Sequence, residues 1–445
     1  MSETTPTVGH YQELFDQAGD VLPGAGVAWV AERRRAALNR FTATGFPAPR
    51  AEDWKYTSLK PIEKRPFALP QGNGSEVAAA DIAPFTFDEP AAHRLVFVDG
   101  VFSPDLSTIG ELPAGVTVQP MSAALNEGGA ILEHHLGRYA DPEGTPFVAL
   151  NTALMHEGAF IHVPAGTEVT APVHLLFVSS DSADGVGPHY RNLVVAEADA
   201  AVTVIEEFAG LGEAVYFNNV VTEAAADERA RITVYKLQEE SEAGYHIATF
   251  EAYQGNESAV AHHNVSLGGR LVRNDITGVL DAEGAEVTLN GLYLGDGRQH
   301  VDNHTRIDHL QPGSVSNEYY KGILDGRSRG VFNGKVVVQP QAQQTESDQQ
   351  NRNLLLSRNA EVDPKPELEI FADDVTATHG ATVGQLDEKA LFFLRSRGID
   401  TPEARNLLIF GFANEIIEQI GIAPVRARLE AHLLSRLPHT SAMED

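Results

Sequence analysis

Histidine is the residue type best suited to chemistry in this sequence, because its 445 residues include 17 histidines and no cysteine. Without a thiol, the chain has no disulfide, no cysteine nucleophile and no sulfur ligand of its own for a metal ion or a cluster. A metal or proton-transfer site must therefore use histidine, aspartate or glutamate, or ligands from another chain.

His379 is the histidine that we single out as a metal or cluster-assembly ligand. It lies in the stretch 363–384, a few residues after the acidic pair Asp373–Asp374. On an extended strand it would share one face with Val375 and Ala377. An imidazole can ligate iron or zinc or carry a proton, but a lone histidine among apolar side chains is also common as a packed residue. Both interpretations stay open at this point.

A second group contains the candidate secondary ligands His300, Asp302, His304 and His309. The first three are spaced two residues apart, so they would project from one face of a strand. Histidine and carboxylate on one face suit a metal site. An exposed polar strand face gives the same pattern, however, and two histidines with one carboxylate do not complete a zinc site.

The motifs of several enzyme classes are missing, and we therefore predict a protein that is not an enzyme. The sequence has no P-loop GxxxxGK(S/T), no dinucleotide-binding GxGxxG after a strand, no GxSxG and no HExxH. Any ATP used in its function would have to be bound by another subunit.

The charge and composition indicate a cytoplasmic protein without nucleic-acid or membrane partners. A formal net charge of −29 disfavours binding to phosphate backbones or anionic lipid surfaces. No run approaches the roughly 18 apolar residues of a membrane-spanning helix. The N-terminal residues lack the basic and apolar regions of a signal peptide, so we expect a cytoplasmic location.

A weak repeat predicts the fold of the central region. Short β-branched runs follow one another from about residue 147 to 384, and Val202, Ile232, Val260 and Val287 occupy equivalent positions 30, 28 and 27 residues apart. Repeats of this length without helices between them are typical of a β-helix. A β-sandwich is the alternative, but few of the expected tight hairpin turns are present.

Helical patterns flank this region, at about 9–45 and 121–139 on one side and after Asp387 on the other. We predict a mainly β protein with a helical N-terminal domain (1–145), a parallel β-helix core (146–384) and a C-terminal helical domain (385–445). The last domain has little core of its own, so it must pack on the β region or on another protein. Three C-terminal helices are expected: one capped by Asp387, one capped by Thr401 with Pro402 following, and one at about 424–437. Candidate partner-binding residues on the second are Leu407, Leu408, Phe412 and Ile416.

Several motifs in this order resemble the SufB/SufD family, the paired scaffold subunits of the SUF iron–sulfur cluster assembly machinery. The resemblance covers nearly the whole chain and lies in the segments 52–57 (EDWKYT), 94–100 (RLVFVDG), 330–334 (GVFNG), 353–356 (NLLL), 360–370 (AEVDPKPELEI), 372–375 (ADDV), 379–384 (HGATVG) and 394–399 (LRSRGI). The missing cysteine and the tryptophan motif favour the SufD branch of that family.

The resemblance implies a right-handed parallel β-helix between helical domains. It also implies pairing with SufB through the end of the β-helix and docking of the ATPase SufC on the C-terminal helices. The histidine matching His379 would lie near a cysteine of SufB and take part in building a nascent, transiently shared cluster. Some relatives have a cysteine two residues earlier; this chain has Ala377, so that ligand role does not carry over.

Other functions stay open beside a non-catalytic scaffold. The chain could be a purely structural subunit in which His379 only packs, or a cluster scaffold of the SufB kind. A β-helix enzyme such as a polysaccharide lyase or esterase would predict secretion and a groove of charged residues. The sequence leaves undecided the cluster type, the stoichiometry, the electron source and whether the isolated chain forms a homodimer.

Overall fold

The computed structural model describes residues 6–48, 50–72, 77–87 and 93–436. About 40% of the chain lies in strands, which wind into a β-solenoid of about 8 turns between N-terminal and C-terminal helices. The prediction of a mainly β protein with a parallel β-helix core is confirmed. Among the described residues, no helix combines the length and apolar character needed to cross a membrane.

The helices and strands follow one another in blocks along the chain. The helices are α1 (Pro6–Ala18), α2 (Ala28–Thr44), α3 (Lys60–Glu63), α4 (Ala79–Ile82), α5 (Met121–Glu127), α6 (Ala130–His135), α7 (Pro146–Leu154), α8 (Glu388–Ser396), α9 (Thr401–Ile417) and α10 (Ala423–Arg436). The strands are β1 (His93–Val98), β2 (Val101–Phe102), β3 (Thr108–Ile109), β4 (Thr117–Pro120), β5 (Ala159–Val163), β6 (Glu168–Ser179), β7 (His189–Ala196), β8 (Ala201–Gly210), β9 (Phe217–Ala226), β10 (Arg231–Glu239), β11 (Tyr245–Gln254), β12 (Ala259–Ser266), β13 (Leu271–Leu280), β14 (Glu286–Gly295), β15 (His300–His309), β16 (Val315–Leu324), β17 (Arg329–Val338), β18 (Thr345–Leu355), β19 (Glu361–Ile370) and β20 (Val375–Gly384).

Two facing sheets form the solenoid. The long sheet has the order β2-β1-β6-β8-β10-β12-β14-β16-β18-β20, with β3 also paired to β1; the short sheet has the order β19-β17-β15-β13-β11-β9-β7-β5-β4. From β5 and β6 onward the pairs within each sheet are parallel, since consecutive strands alternate between the sheets. At the N-terminal end the pairs of β1 with β2 and of β4 with β5 are antiparallel.

The sequence repeat corresponds to the register of the long sheet. Val202 pairs with Ile232, Ile232 with Val260, and Val260 with Val287. Their side chains lie in one column inside the solenoid and are almost fully buried. The 27- to 30-residue spacing is thus the length of one coil.

Helices cover the outer faces of both sheets. The N-terminal helices pack on the short sheet through a cluster that includes Phe41, Leu150 and Ile247. The C-terminal helices pack on the long sheet, where Ile416 and Leu429 are buried with side chains of the outer face. Of the two expected supports for the C-terminal helices, the β region or another protein, the structure shows packing on the β region.

Four local predictions differ from the structure. The patch predicted as helical at about 121–139 is divided into α5 and α6 at Gly128, which has a positive φ of 63°, and α6 ends at His135. The helical region 9–45 is interrupted between α1 and α2, where Gly24 has a positive φ of 78°. Residues 146–154, expected at the start of the β region, form α7. Because Phe147–Leu154 are all buried, α7 has no polar face, and periodicity cannot distinguish such a helix from a buried strand. The N-cap of α9 is Asp400, not Thr401: its carboxylate accepts from the amide of Glu403 at 2.8 Å.

The N-cap predicted for α8 agrees with the structure. The carboxylate of Asp387 caps α8 by accepting from the amide of Lys389 at 2.8 Å. The predicted third helix is α10, and Leu437 at its expected end lies outside the described residues. Residues before 146 also contribute strands to both sheets, and the boundaries at 145 and 384 stay predictions.

Candidate functional site

The C-terminal end of the solenoid is formed by β19 and β20, each paired on one side only among the described residues. The amides of Glu361, at the start of β19, and Phe371, directly after its end, donate to the carbonyls of Ser328 and Val338 at 3.1 and 2.9 Å. Odd-numbered residues of β19 therefore face β17, and even-numbered residues direct their backbone groups to the open edge. Two of those even positions are Pro364 and Pro366, which have no N–H to offer.

The edge of β20 is different. The amides of Glu346 in β18 and of Leu356, directly after β18, donate to the carbonyls of Ser314 and Leu324, which lie next to and in β16, at 3.1 and 2.8 Å. The odd-numbered residues of β18 therefore face β20, and in β20 the odd-numbered residues direct their N–H and C=O groups to the open edge. No proline lies in β20, so this strand presents an unblocked row of donors and acceptors that includes His379.

His379 is the last member of an inward column of side chains. It is in register with Gln349 of β18, which is in register with Glu318 of β16. Gln349 and Glu318 are buried, whereas His379 is exposed because no further coil covers it. His379 shares its face with Val375 and Ala377, as expected, and Val375 packs on the interior core.

Gln349 and Glu318, the two polar residues next to His379 in this column, are joined by a hydrogen bond. The Nε2 atom of Gln349 donates to Oε2 of Glu318 at 2.7 Å. Burial raises the pKa of the Glu318 carboxyl to about 7. Sequence reasoning missed both residues, although each lies at an inward position of its strand; the signal was a polar residue at a repeat position where other coils carry Val204, Val234 and Leu289.

His300 and Asp302 lie together, as predicted, but they are engaged in contacts with the N-terminal loop. The hydroxyl of Thr57 donates to Oδ2 of Asp302 at 2.5 Å and lies 2.8 Å from Nε2 of His300. Arg273 donates to the same carboxylate at 2.8 Å, and its guanidinium lies 3.8 Å from the ring centroid of Trp54. This network fixes the loop to the outer face of the short sheet.

His304 completes that network, and His309 does not. Nε2 of His304 lies 3.0 Å from Oδ1 of Asp302. Burial alone would raise the pKa of Asp302, but the charges of Arg273 and His304 hold it well below its ordinary value. His309 lies on the opposite, inner face, with its ring nitrogens 2.7 and 2.9 Å from the hydroxyls of Ser314 and Ser316.

In the part of the chain that the structure describes, no group of three or more histidine, aspartate or glutamate residues could hold a metal ion. The arrangement around Asp302 is an ion-pair network whose carboxylate is already occupied by protein donors. A secondary ligand role for His300, Asp302, His304 and His309 stays a prediction.

The four candidate partner-binding residues on α9 are not equally accessible. Leu407 is 47% exposed, and Ile416 is 1% exposed because it packs on the long sheet. Leu408 and Phe412 are half-buried. The ammonium group of Lys321 lies 4.3 Å from the ring centroid of Phe412, so this ring is held by β16.

Two residues that the sequence analysis did not select are more exposed. Phe392 and Phe393 of α8 are 72% and 57% exposed, whereas Leu391 of the same helix is 7% exposed. Large exposed aromatic residues side by side are typical of interaction surfaces. The pair Phe-Phe in the segment EKALFFLRSR was visible in the sequence, but which residues face the protein could not be deduced without the packing of α8 on α9.

Comparison with known proteins covers nearly the whole chain. Residues 177–412 match the family described as SUF system FeS cluster assembly, SufBD core domain, and residues 6–175 match the SufBD protein N-terminal region. The chain is 35% identical over 428 residues to an iron–sulfur cluster assembly SufBD family protein of Synechocystis sp., covering 94% of this chain and 93% of the relative. It is 30% identical over 403 residues to the iron–sulfur cluster assembly protein SufD of Escherichia coli, covering 90% and 92%, and 26% identical over 419 residues to SufD of Bacillus subtilis, covering 90% and 92%.

These matches extend from the N-terminal helices through the solenoid to α9, and they include both the open end with His379 and the loop that carries Trp54. The resemblance found in the sequence motifs is confirmed by similarity over at least nine-tenths of the chain. This protein therefore belongs to the SufBD family of iron–sulfur cluster assembly proteins.

Proposed function

We propose that this chain is a non-catalytic scaffold subunit that pairs with SufB through the open end of its solenoid and binds the ATPase SufC through its C-terminal helices. A nascent iron–sulfur cluster is assembled at the SufB-facing end, with His379 as the ligand from this chain. The observation that carries the proposal is the position of His379: it ends an inward column and is exposed on the last strand.

Backbone pairing supports the choice of β20 as the partner-binding edge. The unpaired edge of a sheet can pair with a strand of another chain. Where such pairing must be prevented, proteins place proline or charged residues along the edge strand. β19 carries Pro364 and Pro366, and its outward face is charged through residues such as Lys365 and Glu367. β20 has neither device along its edge, so strand addition would occur beside His379.

The composition supports a shared site over one that this chain completes alone. A neutral imidazole is a suitable ligand for iron, but one histidine cannot hold a cluster. With no cysteine in the chain, the sulfur ligands must come from the partner. The cluster is thus the cargo of the complex and is not bound stably by this subunit.

Contacts between α9 and the solenoid suggest how an ATPase on the helices would act on this site. Nζ of Lys321 lies 2.6 Å from Glu415 and donates to the carbonyl of Phe412 at 2.8 Å. Lys321 belongs to β16, the strand that also carries Glu318. Movement of α9 driven by SufC would therefore be transmitted to β16, two strands from His379 in the long sheet, and open the shared end for iron and sulfur.

The test compares His379→Ala with Thr376→Ala, a change on the opposite face of the same strand. Each variant is purified with its partners, and iron and acid-labile sulfide are measured. We expect His379→Ala to lose cluster formation while the complex stays intact, and Thr376→Ala to keep both. Unchanged cluster formation in His379→Ala would leave only the structural role.

Further parts of the proposal concern the free chain. Without SufB, the same unblocked edge would bind a second copy, giving a homodimer, and the site of action would be the cytoplasm. A SufB-like scaffold is the second candidate; it would need cluster formation by the isolated chain, which the lack of cysteine ligands disfavours.

A further inference from the structure

We propose that Gln349 is a positioning residue for His379: its carboxamide oxygen, which has no partner in the described part of the chain, takes a hydrogen bond from one nitrogen of the exposed imidazole when the ring turns toward it, so that the other nitrogen faces the open end as the ligand. This inference rests on the proposed function of His379. It assigns a role to a buried residue on the strand next to the one that carries the histidine.

The register brings the two side chains together. His379 and Gln349 are direct partners in the parallel pair of β20 and β18. Neighbouring strands are about 4.8 Å apart, and in-register side chains project to the same face. The amide of Gln349 is therefore within reach of the imidazole, which lies directly outside it along the column.

The orientation of the amide follows from its other partner. Nε2 of Gln349 donates to Oε2 of Glu318 at 2.7 Å, which directs the amide nitrogen inward. The amide oxygen is buried and has no hydrogen-bond partner among the described residues. A buried acceptor without a donor costs free energy, and His379 supplies an in-register donor that can satisfy it.

The opposite wall of the solenoid is shaped around this amide. A Cβ atom on Gly334 would lie 2.5 Å from Nε2 of Gln349 and 2.8 Å from Cζ of Phe332. Only glycine at position 334 leaves the amide where it contacts Glu318. The amide of Gln349 is thus confined between the carboxyl group of Glu318 and the backbone of Gly334.

A hydrogen bond from His379 to Gln349 would determine which imidazole nitrogen can bind a metal. A neutral imidazole has one N–H and one free nitrogen, and the hydrogen bond made by one nitrogen decides which nitrogen is free to bind a metal. Ligating histidines regularly donate their second nitrogen to a carbonyl or carboxylate, and loss of that partner typically lowers metal affinity or activity about 10- to 100-fold.

The experiment measures the tautomer of His379 by ¹⁵N NMR in the isolated full-length chain labelled on histidine, with His379→Ala used for assignment. The wild type is expected to show one dominant tautomer of neutral His379, and Gln349→Met a mixture of both. Ser347→Ala changes the neighbouring inward residue of β18, which pairs with Ala377, and should behave as the wild type. Gly334→Ala should displace the amide of Gln349 without removing it. This variant replaces Gln349→Met in the comparison if Gln349→Met does not fold.

A mixture of tautomers in the wild type, or the same dominant tautomer in the wild type, Gln349→Met and Gly334→Ala, would overturn the inference. The NMR result needs neither partner nor iron, so it is separate from the ligand role of His379. If Gln349→Met changes the tautomer while His379→Ala forms clusters normally, the positioning stands and the proposed function fails. If both stand, Gln349→Met should reduce cluster formation in the complex about 10- to 100-fold.

Discussion

Lys321 and Glu415 form an ion pair of 2.6 Å that joins the solenoid to its C-terminal helix α9. The lysine side chain is 1% exposed and the glutamate side chain 53% exposed, so a buried charge on β16 is neutralised from the helix layer. Leaving one partner of a buried pair alone is costly. The helix and the strand are therefore expected to move together.

Replacing Lys321 with methionine tests this coupling. Methionine keeps most of the buried volume and removes the charge, so the fold should be retained while the pair with Glu415 is lost. We expect SufC to stay bound but ATP-dependent cluster formation to fall in the purified complex. Arg65→Ala removes a surface ion pair with Asp184 and is the control. Full ATP-dependent cluster formation in Lys321→Met would contradict transmission through this contact.

The exposed aromatic pair on α8 gives a prediction about ATPase binding. Phe393→Glu changes a side chain that is 57% exposed, so unfolding free energy should change by less than about 0.5 kcal/mol. Co-purification of SufC should be lost if this surface binds it. Ile416→Glu is the contrasting variant, because it introduces a charge among buried side chains and should destabilise the chain by more than about 4 kcal/mol. Retention of SufC by Phe393→Glu at normal yield would place the docking surface elsewhere.

Proline substitutions in β20 can distinguish the role of its open edge in partner binding from the role of its paired edge in stability. Ala381 directs its N–H to the open edge, so Ala381→Pro should leave the melting temperature nearly unchanged and weaken binding to SufB about tenfold, the equivalent of one edge hydrogen bond. Thr382 directs its N–H to β18, so Thr382→Pro should lower the melting temperature. Analytical ultracentrifugation and calorimetry measure the two effects. Equal binding by Ala381→Pro and the wild type would mean that SufB does not pair with this edge.

We expect the free energy of unfolding to depend on pH because the carboxyl group of Glu318 is buried. Burial raises its pKa in the folded chain to about 7, from 4.5. The folded state then binds more protons than the unfolded state, so this contribution to stability is full below about pH 4.5 and is lost as the pH rises through about 7. The loss is on the order of a few kcal/mol. Between about pH 5 and pH 8, the melting temperature should fall more in the wild type than in Glu318→Gln. Parallel curves would show that Glu318 ionises freely in the fold.

The repeat and the alternation of side chains carried most of the fold prediction. The residues Val202, Ile232, Val260 and Val287 turned out to be direct partners in the ladder, because each coil must return the chain to the same inward position. The fully buried α7 could not be predicted, since a segment without a polar face has no period that distinguishes helix from strand.

The candidate site was only partly predictable. The face that His379 shares with Val375 follows from alternation along one strand, and the structure agrees. Gln349 and Glu318 could not be found this way, because their proximity to His379 depends on register across coils of unequal length. Conversely, Asp302 resembled a metal ligand in the sequence, but its carboxylate accepts a hydrogen bond from Arg273, a residue 29 positions earlier.

The prolines at the edge of β19 also restrict how copies of the chain can associate. Pro364 and Pro366 offer no N–H groups at the open edge of the short sheet, so strand addition is disfavoured there. The open edge of β20 in the long sheet lacks this obstacle. A second copy that pairs with β20 through its own β20 would occupy the unblocked edge of both molecules at this end. We therefore expect association through this end to stop at a pair of solenoids.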